Sequence, residues 1–375
     1  MKILFVSNDP SLFVAESASR VRMRTYAAAI GELHILSSAG KDAKEEKDGN
    51  LFLHPIHSLK LFRVSILTHR ARVLIKKYDI EIVSAQDPFE HGLAAFRATR
   101  GTSAKLHVQV HTDFLSPWFV KSGSWHALRI SLLNRYRRKI ADRVLPEADG
   151  IRVVSERVKA SLVARYGTRI PDPAVIPVVV DPIAPVPAQL PSHAFTFALI
   201  AVGRLEPEKR TQDILTALKL VIVRYPMVGL FIVGAGRERR RLEKIVHSLS
   251  LGEHVIFLGE RPDARALMGS AHAFIQASAY EGYGRTLVEA ALARVPIITT
   301  NVGIVGEVLK DSEEVLSVPV ADPIALSRCI IELVEDGAIR QQLPMRAETV
   351  VRTHLAAVGD LPTSIAADLR RLISI

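Results

Sequence analysis

Seven of the 20 prolines in this 375-residue chain fall at positions 171, 173, 177, 182, 185, 187 and 191. Proline has no amide hydrogen and a fixed φ, so this stretch has no room for a helix and little for a central strand. It is the best linker in the sequence, and it leaves two parts of similar size. Each part must bury a core of its own.

Strand and helix patterns alternate on both sides of that break. Before it, residues 2–7 read as a core strand, 19–30 as a helix and 33–36 as a second strand, the spacing of a parallel α/β unit. Helix 67–78, strands 80–84 and 107–111, helix 124–143 and strand 150–155 continue the series, while the charged residues 41–50 read as a solvated loop. After the break come strand 196–202, helix 210–225, strand 229–233, helix 237–249, strands 255–258 and 273–277, helix 286–293 and strand 295–299. The expected fold class is α/β, with two facing Rossmann-like, doubly wound parallel sheets. The domains are expected over 1–180 and 196–359 with a linker over 181–195, and the helical pattern at 360–375 is expected to return to the first domain. Ligands of such sheets bind beyond the carboxyl ends of the strands, so an interdomain cleft is the expected site.

Composition excludes several classes. A hydrophobic share of 48% with 23% charged residues describes a well-cored globular chain. No apolar run approaches the roughly 20 residues of a membrane span, and the first seven residues read as a strand rather than a signal peptide, so a cytoplasmic protein is expected. The single cysteine, Cys329, lies in an apolar helical run and is expected to pack rather than react; it rules out an internal disulfide. A net charge of +10 predicts attraction to something anionic without choosing among nucleic acid, acidic lipid and phosphorylated metabolites.

Two stretches of the second half carry the chemistry. Residues 280–296 run from a Gly-rich loop holding Glu281 into a helix holding Glu289 about one turn in. Gly282 and Gly284 let backbone N–H groups approach a ligand closely, and the helix start behind them suits a phosphate. Earlier, a strand exits through Gly203-Arg204-Leu205 toward Lys209, placing two cations at a sheet edge. Arginine clamps phosphate oxygens bidentately while lysine acts as a point charge.

Three other features compete for attention. Gly234-Ala235-Gly236 opens like a dinucleotide fingerprint, but Arg239 occupies its third glycine position and no acidic strand end follows about twenty residues on, so a nucleotide backbone contact fits and NAD does not. His54 and His57 have ligand-like spacing without partners, and no metal is expected there. Helix 124–143 carries Arg129, Arg135, Arg137, Arg138, Lys139 and Arg143 among Leu128, Leu132, Leu133, Tyr136 and Ile140. It suits either an anionic membrane surface or core packing with a solvated basic face; lacking aromatic interleaving, it does not point to nucleic acid.

Taken together, Gly-Arg-Leu with Glu-Lys at 203–209, Val-Gly-Ala-Gly at 233–236, Val-Ile-Phe-Leu-Gly at 255–259 and Glu-Gly-Tyr-Gly-Arg-Thr-Leu-Val-Glu at 281–289 resemble the retaining glycosyltransferases of family 4. The resemblance covers nearly the whole chain and is strongest over 196–345. It implies the GT-B fold, an acceptor on the N-terminal domain, a UDP- or GDP-sugar donor on the C-terminal one, and no required metal or other cofactor. By the same resemblance Arg204 and Lys209 hold the diphosphate, Glu289 the ribose, and Glu281 with Gly282, Tyr283, Gly284, Arg285, Thr286 and Leu287 the donor sugar and phosphate. Gly203, Gly234, Gly236, Glu260 and Arg261 join the donor site, and His111, ending the strand His-Val-Gln-Val-His, stands near the transferring sugar. The implied activity is hexosyl transfer, with retention, to a saccharide or lipid-linked saccharide of cell-envelope type, the enzyme being cytoplasmic or peripheral on the membrane. The lack of any Asp-x-Asp pair argues against the metal-dependent glycosyltransferase fold.

The chain also departs from the family pattern. Residues 8–19 hold no glycine where a Gly-Gly pair is usual, residues 177–181 lack the usual Asn-Gly, and Ala293-Arg294 replaces Cys-Gly. A nucleotide-sugar hydrolase or epimerase of the same fold, or an inactive binding partner, stays open at this point.

Overall fold

The structure, a computed structural model, describes residues 1–57, 62–120 and 125–373, with the side chains of 125–130 left aside. Ile3, Leu4, Phe5 and Val6 are all buried, which is what a strand covered on both faces requires. They form the centre of β1 (Lys2–Ser7) in a first sheet with β2 (Glu32–Ser38), β3 (Glu46–Asp48), β4 (Leu51–Ile56), β5 (Ile82–Ala85), β6 (Lys105–Val110), β7 (Gly150–Val153) and β8 (Ala174–Val175). The strand order is β3-β4-β2-β1-β5-β6-β7-β8, parallel throughout except for β3 against β4. The second sheet contains β9 (Phe197–Val202), β10 (Val228–Val233), β11 (Val255–Gly259), β12 (Ala273–Gln276), β13 (Ile297–Thr300) and β14 (Leu316–Val318). Its order is β11-β10-β9-β12-β13-β14, all parallel. Strand order reverses between β9 and β12, the switch point at which such sheets take ligands.

The expected loop at 41–50 is wrong in part. Residues 46–48 are β3, and a two-residue turn at Gly49 and Asn50 returns the chain into β4. Charge made this stretch look solvated, but the charges are used. Arg20, on the helix Ala18–Ile30, donates to Glu46 at 2.7 Å and Asp48 at 2.9 Å, and Arg24 donates to Asp48 at 2.7 Å.

The chain divides into one unit of 1–115, 125–177 and 359–373 and a second of 116–120 and 178–358. Within the second, the proline-rich segment is held by Arg265, which donates to the Asp181 and Ile183 carbonyls at 3.0 and 2.8 Å, and by a bond from the Ala188 amide to Ala266. Only β8 of the proline stretch joins a sheet, at its edge, where missing donors matter least. In the first unit the last helix, Leu361–Arg371, lies against Ala18–Ile30, with Arg370 donating to the Ala29 carbonyl at 2.9 Å. No helix among the described residues is long and apolar enough to cross a membrane.

Candidate active site

In the second unit, the chain leaving β9 is laid directly on the chain leaving β10. The Gly203 amide donates to the Val233 carbonyl at 3.0 Å, the Leu205 amide to Ala235 at 2.8 Å, and the Glu238 amide to Leu205 at 3.0 Å. Gly234 makes this approach possible: its φ is 134°, and a Cβ there would stand 1.9 Å from the Gly203 carbonyl oxygen. So Gly234, and Gly236 against Leu205, serve contact between two loops, a reason distinct from the nucleotide contact the sequence suggested.

The loop so fixed carries Arg204 and Lys209. Gly203, Arg204 and Lys209 line one pocket with Thr211 and Gln276, at the carboxyl ends of β9 and β12. Arg204 is 74% exposed and donates to Glu208 at 3.2 Å. Lys209 reaches back to Glu281, 72 residues on, and their ammonium and carboxylate form a close, mostly buried pair. The Ser278 hydroxyl, fully buried, donates to the same Glu281 oxygen, Oε1, at 2.7 Å. Glu281 Oε1 is thus doubly engaged, by Lys209 and Ser278.

Behind Glu281 the helix Arg285–Leu292 starts on Gly284 at φ 87°, where a Cβ would be costly. The Leu287 amide makes the first helical bond, to the Gly284 carbonyl at 2.9 Å, with the Arg285 and Thr286 amides ahead of it, and the macrodipole adds partial positive charge. Glu289 is buried and accepts from Arg285 Nε at 2.9 Å, while Thr286 donates to Gln276 Oε1 at 2.7 Å. Not every sequence candidate joins the group by its side chain. Leu287 and Gly282 are buried, and Tyr283 turns inward to bond His354 Nε2 at 3.0 Å, its pKa pushed up by burial. Glu260 and Arg261 are exposed, the latter paired with Asp263 at 2.7 Å.

Sequence reading missed Ser278, a single polar residue without motif context, and gave Glu208 no role although it stands in the Glu-Lys of the 203–209 motif. It also missed residues 116–120, which pack with the second unit. There Trp118 lies under the Arg210 guanidinium at 5.3 Å, and Phe119 meets Tyr280 edge-on at 5.5 Å. Tyr280 is the neighbour of Glu281.

In the first unit His111 follows β6, its Nε2 3.1 Å from Gln109 Oε1. Burial first, and then the Arg152 guanidinium, push its pKa down to about 3, so the ring is neutral at physiological pH. His54 is buried on β4, with Nε2 3.0 Å from His34 Nδ1, and His57 is exposed beyond the strand end. No group of three metal-ligating side chains occurs among the described residues. Cys329 is half-buried, and burial raises its thiol to about 12.

The basic helix spans Trp125–Val144 and shows an unusual face. Ser131, Asn134 and Ile140 are buried, whereas Leu132, Leu133 and Tyr136 are 56%, 43% and 58% exposed beside exposed Arg135 and Lys139. Arg137 pairs with Glu90 at 3.0 Å and Arg138 donates to the Phe114 carbonyl at 2.9 Å. The side chains of Leu128 and Arg129 lie outside the described residues.

Comparison with known proteins bears on the family and the fold. Residues 23–183 match the model of Glycosyltransferase Family 4, and residues 189–350 match that of Glycosyl transferases group 1. The chain resembles sucrose-phosphate synthase from Thermosynechococcus elongatus with a TM-score of 0.81 at 20% identity, covering 100% of this chain and 99% of that one. It also resembles HepE of Anabaena, solved in complex with UDP-glucose, with a TM-score of 0.71 at 19% identity and 100% of both chains covered. Among curated relatives, LpsE of Rhizobium meliloti (strain 1021), a lipopolysaccharide core biosynthesis glycosyltransferase, is 27% identical over 165 residues, 44% of this chain and 47% of LpsE. The chain thus spans about half the length of the curated relatives it first matches. Two parallel-sheet α/β domains with these neighbours define a GT-B glycosyltransferase fold. Within that class the chain belongs to the family 4 type, both halves matching its models.

Proposed function

We propose that the chain transfers a hexosyl unit from a UDP- or GDP-sugar, with retention at the anomeric carbon, to a saccharide or lipid-linked saccharide of cell-envelope type. The observation that carries this reading is the Lys209–Glu281–Ser278 cluster beside Arg204 and the start of the helix Arg285–Leu292. Cleaving a sugar–diphosphate bond builds negative charge on the leaving oxygen. Fixed cations and N–H groups aimed at that charge lower the barrier without reorganising. Lys209 and Arg204 supply the cations and the helix start the N–H groups, so the reading needs no divalent ion. Glu281, with one oxygen tied to Lys209 and Ser278, orients the sugar through the other. Glu289 takes the ribose hydroxyls, for which its Arg285 contact leaves capacity. Screening UDP- and GDP-sugars for thermal stabilisation, then following transfer with EDTA present and reading the product's anomeric configuration by NMR, tests the reading. Hydrolysis at an equal rate without any acceptor would replace it with a nucleotide-sugar hydrolase.

The exposed Leu132, Leu133 and Tyr136 beside Arg135 and Lys139 favour peripheral contact with an anionic membrane, where a lipid-linked acceptor would sit. Cosedimentation with anionic but not neutral vesicles, lost in Leu132→Ser/Tyr136→Ser, is the expected result.

A further inference from the structure

His111 is the end of a buried polar chain that crosses the first unit. Arg152 Nη1 donates to Gln109 Oε1 at 2.8 Å, and its other donors go to the Ile176 and Pro177 carbonyls at 3.0 and 2.6 Å. Gln109 Nε2 donates to Ser84 Oγ at 3.0 Å, and Ser84 Oγ lies 2.8 Å from His107 Nδ1. His107 Nε2 is 3.1 Å from Asp368 Oδ2, on the last helix. Gln109, Ser84, His107, Arg152 and Asp368 are each less than 9% exposed.

The proton positions at the His111 end follow from chemistry. A guanidinium only donates, so the Gln109 atom facing Arg152 is its carbonyl oxygen and the amide nitrogen faces Ser84. Flipping the amide would set its N–H groups against Arg152, inside a core where an unmade bond is costly. His111 Nε2 faces the same Gln109 oxygen and must therefore carry a hydrogen. In a neutral ring this leaves Nδ1 as the lone-pair nitrogen. Ser84, His107 and Asp368 hold the far end of the amide in place.

We infer that Gln109 is a positioning residue that fixes His111 as the Nε2–H tautomer, presenting Nδ1 as an acceptor for a substrate hydroxyl. This rests on the reading of His111 as standing at the transferring sugar, but the tautomer is measurable without substrate. Long-range ¹H–¹⁵N spectra of the histidine rings, with His111 assigned by loss of its signals in His111→Gln, report which nitrogen is protonated. The wild type is expected to show Nε2–H; an Nδ1–H ring there overturns the proposal without any variant at position 109. Gln109→Met is expected to admit the Nδ1–H form and to lower kcat roughly tenfold, with the donor KM unchanged. Gln109→Glu keeps an acceptor oxygen facing Arg152 and His111 and is expected to restore the Nε2–H signal. A folded Gln109→Met protein that keeps the wild-type ring pattern overturns the proposal. A changed ring pattern with unchanged kcat removes His111 from the reaction, and with it the positioning role.

Discussion

Replacing Gly234 by alanine tests whether the Arg204 loop is held by close backbone contact. The new Cβ would fall 1.9 Å from the Gly203 oxygen, whereas real Cβ contacts stay beyond 3.0 Å, so the loops must part by about 1.1 Å. That movement strains the bonds from Gly203 to Val233 and from Leu205 to Ala235, now 3.0 and 2.8 Å long. Two weakened hydrogen bonds forfeit about 1 kcal/mol each, and an L-residue held at φ 134° adds about 1–3 kcal/mol. A loss of roughly 3–5 kcal/mol in the second unit corresponds to a fall of about 6–20 °C in its melting transition. Because the two units need not unfold together, the transition is best followed with and without UDP. On the proposed reading, affinity for the donor nucleotide, UDP or GDP, should fall as well, since the displaced loop carries Arg204 and leads into Lys209. Gly252→Ala is the control: nothing lies within 4 Å of its added carbon, and a change within about 0.5 kcal/mol is expected. If Gly234→Ala melts with Gly252→Ala, the loop-packing argument is wrong.

Further outcomes follow from the same contacts. Lys209→Met should cut kcat by about 10²–10³-fold, the worth of a fixed charge at a developing anion, and single-turnover assays read it directly. Glu289→Gln, nearly isosteric and still able to meet Arg285, should raise the donor KM roughly tenfold with little change in kcat, as steady-state titration of the donor would show. His54, whose pKa burial lowers to about 4, binds a proton more readily when the chain unfolds. Its contribution to stability is therefore full above its unfolded value of about 6.5 and is lost as pH falls toward 4. Denaturation of the first unit at pH 7 and pH 5 should differ by on the order of 1 kcal/mol from this residue, and the difference should shrink in His54→Leu.

The parallel sheets were legible because their strands are buried on both faces and read as short apolar runs between helices. Residues 228–233 and 273–276 are such runs, and each is a strand within one or two residues of its expected position. The hairpin at 46–56 was not, because the charges of its first strand are met by Arg20 and Arg24 on a preceding helix, and a charged segment with distant partners looks like any surface loop. The same holds for His111. Alternation along β6 already puts His107, Gln109 and His111 on one face, but nothing local says that Asp368, 261 residues after His107, closes the chain of hydrogen bonds. In the second unit Glu281 and Lys209 were legible as types with the right neighbours, while Ser278 and the 116–120 segment gained meaning only from proximity.

Three cations of the candidate site each hold a carboxylate: Arg204 with Glu208, Arg285 with Glu289, and Lys209 with Glu281. These pairs are unequal. The arginines are 74% and 56% exposed, and pairs of that kind hold by only about 0–1 kcal/mol, so an arriving diphosphate can draw them away cheaply. Lys209 and Glu281 are 19% and 16% exposed, with Ser278 on the same carboxylate, and parting them would strand two charges away from water. On the proposed reading this pair therefore persists through the reaction. Lys209 offers its remaining N–H groups to phosphate while Glu281 offers Oε2 to the sugar, so one ion pair sets the position of the leaving group relative to the hexose it leaves.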